Sequence, residues 1–298
     1  VFITHEKRLM TVQEVFVTND WLHKHMDDQD LVIVDCRATL GKPHAGYMAY
    51  QEGHIPGAIF ADLEVDLSSD VEEHGGRHPL PETAKFSSWL IEHDITPEKT
   101  VIAYDEKGDM APHLWWLLRY FGHDNVSVLI GGMANWISAG LPLATGIELK
   151  QTVTEERSFD QTAFEVYRPH PEMIVSRDEL MKHVTNQGTA IQLIDARALK
   201  RYRGEIEPID PVAGHIPTAI CYPWEETVPL YEADDPKVAM AHHFSAIKKG
   251  SEVVVYCGSG VSACADILAL HVAGIEAKLY PGSWSDWCSF EDSPIARG

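Results

Sequence analysis

Gln192-Leu193-Ile194-Asp195-Ala196-Arg197, followed by Gly214-His215-Ile216-Pro217-Thr218-Ala219, restates an earlier series. That series is Leu31-Val32-Ile33-Val34-Asp35-Cys36-Arg37, followed by Gly53-His54-Ile55-Pro56-Gly57-Ala58. Each opens on an apolar run that reads as a buried strand and ends in a polar pair and a turn. The signals that follow keep the same order. Thr100-Val101-Ile102-Ala103-Tyr104 is answered by Glu252-Val253-Val254-Val255-Tyr256, and both are apolar runs suited to the centre of a sheet. Helical stretches come next at 111–121 and 262–273, then short strands at 126–130 and 277–280, then Gly131 to Trp136 against Gly282 to Trp287. A repeat this long is a duplicated domain rather than a solenoid unit. Continuous apolar strands alternating with helices predict an α/β fold, with a parallel-sheet core flanked by helices in each copy.

The chain has 298 residues, enough for two domains at about 150 residues each. We place the first domain at 10–145, a polar connection without periodicity at 146–171, and the second domain at 172–298. Val1 is not a translation start, and no function is assigned to the stretch before Met10. Lys and Arg number 24 against 45 Asp and Glu, for a net charge of −21, which argues against nucleic acid or an anionic membrane surface as the main partner. An anion site must therefore be local. No apolar run reaches the length of a membrane span, and no secretory leader is visible, so a cytoplasmic protein is expected. Five cysteines in no paired spacing point to free thiols, and the neighbours His242 and His243 lack a third ligand, so no metal and no cofactor are expected.

A duplicated domain carries its own control, because what both copies keep is structural and what one keeps alone is a candidate for function. Asp35 and Arg37 recur as Asp195 and Arg197, and His54 recurs as His215, so these read first as strand-end and turn-fixing groups, with His54 retained as a weaker catalytic candidate. After the central strand the copies part. The first continues Asp105-Glu106-Lys107-Gly108-Asp109, and the second Cys257-Gly258-Ser259-Gly260-Val261-Ser262 before a helix. A cysteine at the C-terminal end of a parallel strand sits where such sheets place ligands. Gly258 and Gly260 let the backbone curl so that successive N–H groups face inward, joined by the positive end of the following helix. Such a nest stabilises a thiolate, or an anion bound to it, and so makes Cys257 a nucleophile at neutral pH. Asp105 cannot play that part, so the first copy is expected to be catalytically silent.

These residues resemble the tandem-domain rhodanese-like sulfurtransferases, from about Val15 to the C-terminal region. The loop from Cys257 to Ala263 looks like that of the 3-mercaptopyruvate branch. Further matching motifs are Glu52 to Ala58, His78-Pro79-Leu80-Pro81, Trp115 to Arg119, Gly131 to Trp136 and Asp195-Ala196-Arg197. The resemblance implies two rhodanese-like domains with the second catalytic. It also implies double displacement, in which Cys257 takes sulfur from a small anionic donor as a persulfide and passes it to a thiol, cyanide or thioredoxin-like acceptor. It assigns Ser259 to proton transfer, Arg201 to the donor carboxylate, and the backbone of Gly258, Gly260, Val261 and Ser262 to the bound charge. Thiosulfate enzymes of this kind tend to carry basic residues after the cysteine. Gly258 and Ser259 stand there instead, which suits a singly charged 2-oxo acid.

Two features depart from that branch. Asp210 stands nine positions past Arg201, where a second arginine is common, and Arg203 is the candidate replacement. A histidine–aspartate relay to the loop serine would use His54, yet 42–51 supplies no aspartate. Thiosulfate as donor is thus the close alternative, and a persulfide carrier or redox-sensing module acting on a protein partner is the alternative of another class. Cys264, seven residues past Cys257, is expected to pack in the helix, and Trp284 and Trp287 to wall the site or the core.

Overall fold

The computed structural model describes residues 15–106, 108–146, 167–186, 191–248 and 250–298. Most of the expected connection at 146–171, and the stretch before Met10, lie outside the described residues. The first half forms a sheet from β1 (Phe16–Val17), β2 (Leu31–Asp35), β3 (Ile59–Phe60), β4 (Thr100–Tyr104) and β5 (Val126–Leu129), in the order β1-β5-β4-β2-β3. The second half forms another from β6 (Ile191–Asp195), β7 (Ile220–Cys221), β8 (Glu252–Tyr256) and β9 (Lys278–Leu279), in the order β7-β6-β8-β9. Every strand pair is parallel.

The duplication extends to register. Asp35 pairs with Tyr104 across β2 and β4, as Asp195 pairs with Tyr256 across β6 and β8. Strand β1 has a vestigial counterpart in the single parallel bridge from Ile174 to Leu279. The repeated polar groups are structural. Asp35 holds Arg37 by a fork of hydrogen bonds, and Arg37 Nη2 reaches the Gly53 carbonyl at 2.7 Å. Asp195, Arg197 and Gly214 repeat this at 2.6 Å. The cost of burying a guanidinium is offset here because both carboxylate oxygens are engaged with it. His54 and His215 fix the adjoining turns through Nδ1, which bonds the carbonyls of Tyr50 and Tyr202 at 2.8 and 2.7 Å, while each ring stacks on that tyrosine.

The helices that follow the two central strands, Ala111–Tyr120 and Ala263–Val272, pack against each other. Both are apolar nearly all round, the mark of a helix with no solvent face. Leu114, Leu117, Leu268 and Leu270 are fully buried, and one continuous core runs from Val34 and Ala103 through this contact to Val255 and Cys257. At about 2 kcal/mol for each buried leucine, the halves are fastened by a hydrophobic seam beside the second central strand. Trp284 and Trp287 belong to the core of the second half, their indole nitrogens bonded to the carbonyls of Val212 and Pro294. No helix among the described residues is long and apolar enough to cross a membrane.

Candidate active site

Cys257 directly follows β8, buried to 1 % exposure, with its backbone held from below. Its N–H donates to Ser283 Oγ at 3.1 Å, and Trp284 N–H donates to its carbonyl at 3.0 Å. Ser283 lies at φ 55°, a conformation that L-residues other than Asn and Asp rarely adopt. Gly132 holds the corresponding place in the first half at φ 53°. The serine tolerates the strain because its hydroxyl receives the Cys257 amide and donates to the Tyr280 carbonyl at 2.9 Å. Gly260, at φ 84°, turns the loop so closely against Pro281 that a Cβ there would lie 2.4 Å from the Pro281 carbonyl oxygen. The amides of Gly258, Ser259, Gly260, Val261 and Ser262 have no protein acceptor among the described residues. Together with the start of the helix Ala263–Val272 they form an anion cradle.

The first half shows the same cradle filled. Asp105 occupies the position of Cys257, and its carboxylate accepts from the amides of Gly108, Met110 and Ala111, the last two at 2.7 Å. A covalently attached anion thus satisfies the loop that in the other copy stands open.

Two arginines frame the open cradle. A Cβ on Gly258 would lie 2.9 Å from Arg77 Nη2 and 3.5 Å from Arg201 Nη1, so both guanidiniums reach the loop. Arg77 comes from the first half, carried by Gly75 and Gly76 at φ 98° and 86°. That segment is docked on the second half by Arg77 N–H to Ser285 Oγ at 3.1 Å, Gly75 N–H to Asp286 Oδ1 at 2.7 Å, and His74 stacked on Phe290. Behind the arginines, Asp210 accepts from Arg77 Nη1 and, at 3.1 Å, from Arg201 Nη2. Glu207 accepts from Arg201 at 2.7 Å and from Arg197 at 3.2 Å. Burial pushes Glu207 upward, but the Arg201 hydrogen bonds win and hold it below the usual carboxylate range. For Asp210 burial wins, and its carboxyl lies above its usual value despite Arg77.

Ser259 Oγ lies 2.7 Å from His78 Nδ1, and His78 Nε2 lies 3.1 Å from Glu64 Oε1. Burial, helped by Arg77 and opposed by Glu64, lowers the His78 pKa, so the imidazole is neutral at neutral pH. With Nε2–H directed at Glu64, Nδ1 is free to accept from the serine hydroxyl. The side chain of Glu64 is half exposed, which opens the far end of the chain to solvent.

The structure places Cys257, Gly258, Ser259, Gly260, Val261 and Ser262 on one loop with the Arg201 guanidinium beside it. It does not bring His54 or Arg203 to them. The histidine on the loop serine is His78, with a glutamate behind it, whereas His54 serves a turn of the first half. Arg203 is half exposed and pairs with Glu205 at 3.7 Å, so the second cation of the site is Arg77. The sequence signal for His78 was only its place in His78-Pro79-Leu80-Pro81, and Arg77 and Glu64 carried none. Applied to 61–82, the comparison between copies offers one. Gly75-Gly76-Arg77-His78 is an unmatched basic turn in an acidic chain. Cys264 is fully buried, its thiol bonding the Gly260 carbonyl, and burial followed by the neighbouring Cys257 pushes its pKa well up.

The chain matches the Rhodanese family, described as "Rhodanese-like domain", over residues 18–139 and 176–290. It is 40% identical over 289 residues to a probable 3-mercaptopyruvate sulfurtransferase of Pseudomonas aeruginosa, covering 95% of this chain and 98% of that one. It is 36% identical over 275 residues to a putative thiosulfate sulfurtransferase, SseB, of Mycobacterium tuberculosis, covering 89% and 90%. Among solved structures it resembles SseA from Escherichia coli, a 3-mercaptopyruvate sulfotransferase of rhodanese fold, with a TM-score of 0.75, 33% identity, and coverage of 92% of this chain and 100% of that one.

Proposed function

The chain belongs to the rhodanese family as a sulfurtransferase of two rhodanese-like domains, and on that premise we propose that it moves sulfur from 3-mercaptopyruvate to a thiol through a persulfide on Cys257. In this reading the Cys257 thiolate attacks the donor sulfur. The donor carbon–sulfur bond breaks with its electron pair going to carbon, and the resulting enolate takes a proton to become pyruvate. The proton released as the new persulfide ionises balances the one that carbon receives. An acceptor thiolate then takes the outer sulfur and returns Cys257 to its starting state.

The observation that carries the choice of donor is the contact of Ser259 with His78, backed by Glu64. Pyruvate formation needs a proton delivered to the departing carbon, whereas sulfite leaves thiosulfate without one. A serine hydroxyl that can be resupplied through a neutral imidazole suits the first reaction and is idle in the second. Arg201 and Arg77 hold the donor carboxylate, and the amides from Gly258 to Ser262 hold the persulfide charge. All five cysteines are free, which fits a reducing compartment, and the proposal places the protein in the cytoplasm.

The test is a steady-state comparison of 3-mercaptopyruvate and thiosulfate with a thiol acceptor, in the wild type and Cys257→Ser. We expect a large preference for mercaptopyruvate and no transfer by the variant. Preference for thiosulfate would reassign the donor, and a persulfidated but inactive protein would make it a carrier.

A further inference from the structure

We infer that Asp210 determines donor specificity, by tying Arg77 of the first half to Arg201 of the second and cancelling one of their two charges, so that a singly charged donor is favoured over a doubly charged one. The inference rests on the donor site proposed above, and it reverses the sign that the sequence pattern gives to this residue, since an acid at this position first read as a mark of thiosulfate.

Both guanidinium groups are shared between Asp210 and the loop. Arg77 gives Nη1 to Asp210 and leaves Nη2 beside Gly258. Arg201 gives Nη2 to Asp210 and Glu207, and the end of its guanidinium lies against the loop, Nη1 and Nη2 at 3.5 and 3.6 Å from a Cβ built on Gly258. One carboxylate therefore holds both guanidiniums at the loop, Arg77 with its free Nη2 and Arg201 with its terminal nitrogens. The pair meets across the two halves, so neither chain segment could set this geometry alone. The side chain of Asp210 is only 3% exposed, so its charge acts through protein rather than through water.

Arg77, Arg197 and Arg201 face Asp195, Glu207 and Asp210, three cations against three anions, linked by direct contacts except that Asp195 reaches the group through Arg197. Hydrogen-bond donors are present in number, but the cluster as a whole is neutral. Such a site recognises a carboxylate by geometry and gives a second negative charge no added reward. Removing the Asp210 charge leaves an excess of one positive charge. Its attraction acts once on mercaptopyruvate and twice on thiosulfate. At an effective dielectric of about 20 and separations on the order of 10 Å, each unit of donor charge gains on the order of tenfold.

The experiment measures kcat/KM for both donors in the wild type, Asp210→Asn and Asp210→Glu. Loss of the clamp affects both donors alike, so their ratio isolates the charge. The expected result is a rise of roughly tenfold in the thiosulfate to mercaptopyruvate ratio for Asp210→Asn, carried in KM rather than kcat, with Asp210→Glu within about threefold of the wild type. An unchanged or lower ratio in Asp210→Asn would overturn the inference, even if both rates fell. Inhibition by sulfite and by pyruvate provides a second readout that needs no turnover of mercaptopyruvate, and sulfite should gain more than pyruvate in Asp210→Asn. If the wild type rejects mercaptopyruvate, the donor assignment fails, while the inhibitor ratio still decides the role of Asp210.

Discussion

Replacing Ser259 by alanine should separate the two donors. The serine is 3% exposed and its hydroxyl meets His78 Nδ1 at 2.7 Å, so the change removes one oxygen and leaves the packing of the loop in place. Proton transfer by a positioned group contributes typically ~10²–10⁴-fold. Because water can enter from the Glu64 side and supply part of the loss, we expect kcat with mercaptopyruvate to fall by roughly 10²–10³, or about 3–4 kcal/mol in the barrier. Thiosulfate turnover should change by less than about threefold, since sulfite departs without a proton. The unpaired His78 nitrogen should also cost stability, about 1–3 kcal/mol, seen as a melting temperature lower by a few degrees. Single-turnover pyruvate release, followed at saturating donor with and without heavy water, isolates the chemical step. An equal loss with both donors would mean that Ser259 only shapes the cradle, and an unchanged mercaptopyruvate rate would remove the relay from the mechanism.

Arg77→Met should raise KM for mercaptopyruvate by about 10–100-fold through loss of a charge-assisted contact, while Arg203→Ala leaves it unchanged; steady-state titration of the donor checks both. Glu64 raises the His78 pKa against burial, so Glu64→Gln should move the acidic limb of the mercaptopyruvate kcat profile to lower pH. Asp266, fully buried in the helix Ala263–Val272, is pushed well above the ordinary carboxylate value by burial. Its contribution to stability is whole below the unfolded pKa and is lost as pH rises toward the folded one, so Asp266→Asn should raise the melting temperature at pH 7 and flatten its dependence on pH above 4.

The parallel strands of both halves, and the place where the two copies part, were legible because they depend on local pattern. Apolar runs such as Val253-Val254-Val255 can only be central strands, and the exchange of Asp105 for Cys257 stood out against a repeated background. Arg77 and Glu64 were not legible, because they act through a docking of one half on the other that leaves no periodicity. Ser285 and Asp286 receive the segment that carries Arg77, and nothing in either stretch alone names the other. His54 reads first as a turn-fixing group, and the structure keeps it there. Its Ile-Pro neighbour marks a turn, and the turn is what it serves. Asp210 looked like a missing cation because the cation that completes it lies more than a hundred residues earlier in the chain.

Asp105 has a consequence of its own. In the first half the Asp105 carboxylate is part of the covalent chain and can never leave; in the second, on the proposed mechanism, charge would arrive and depart with every cycle. The protein thus holds one receptor in two conditions of occupancy, permanently saturated and exchanging. On that mechanism the first half is a fixed reference for what the second becomes when its ligand is bound, with the amides satisfied and the first turn of the helix locked.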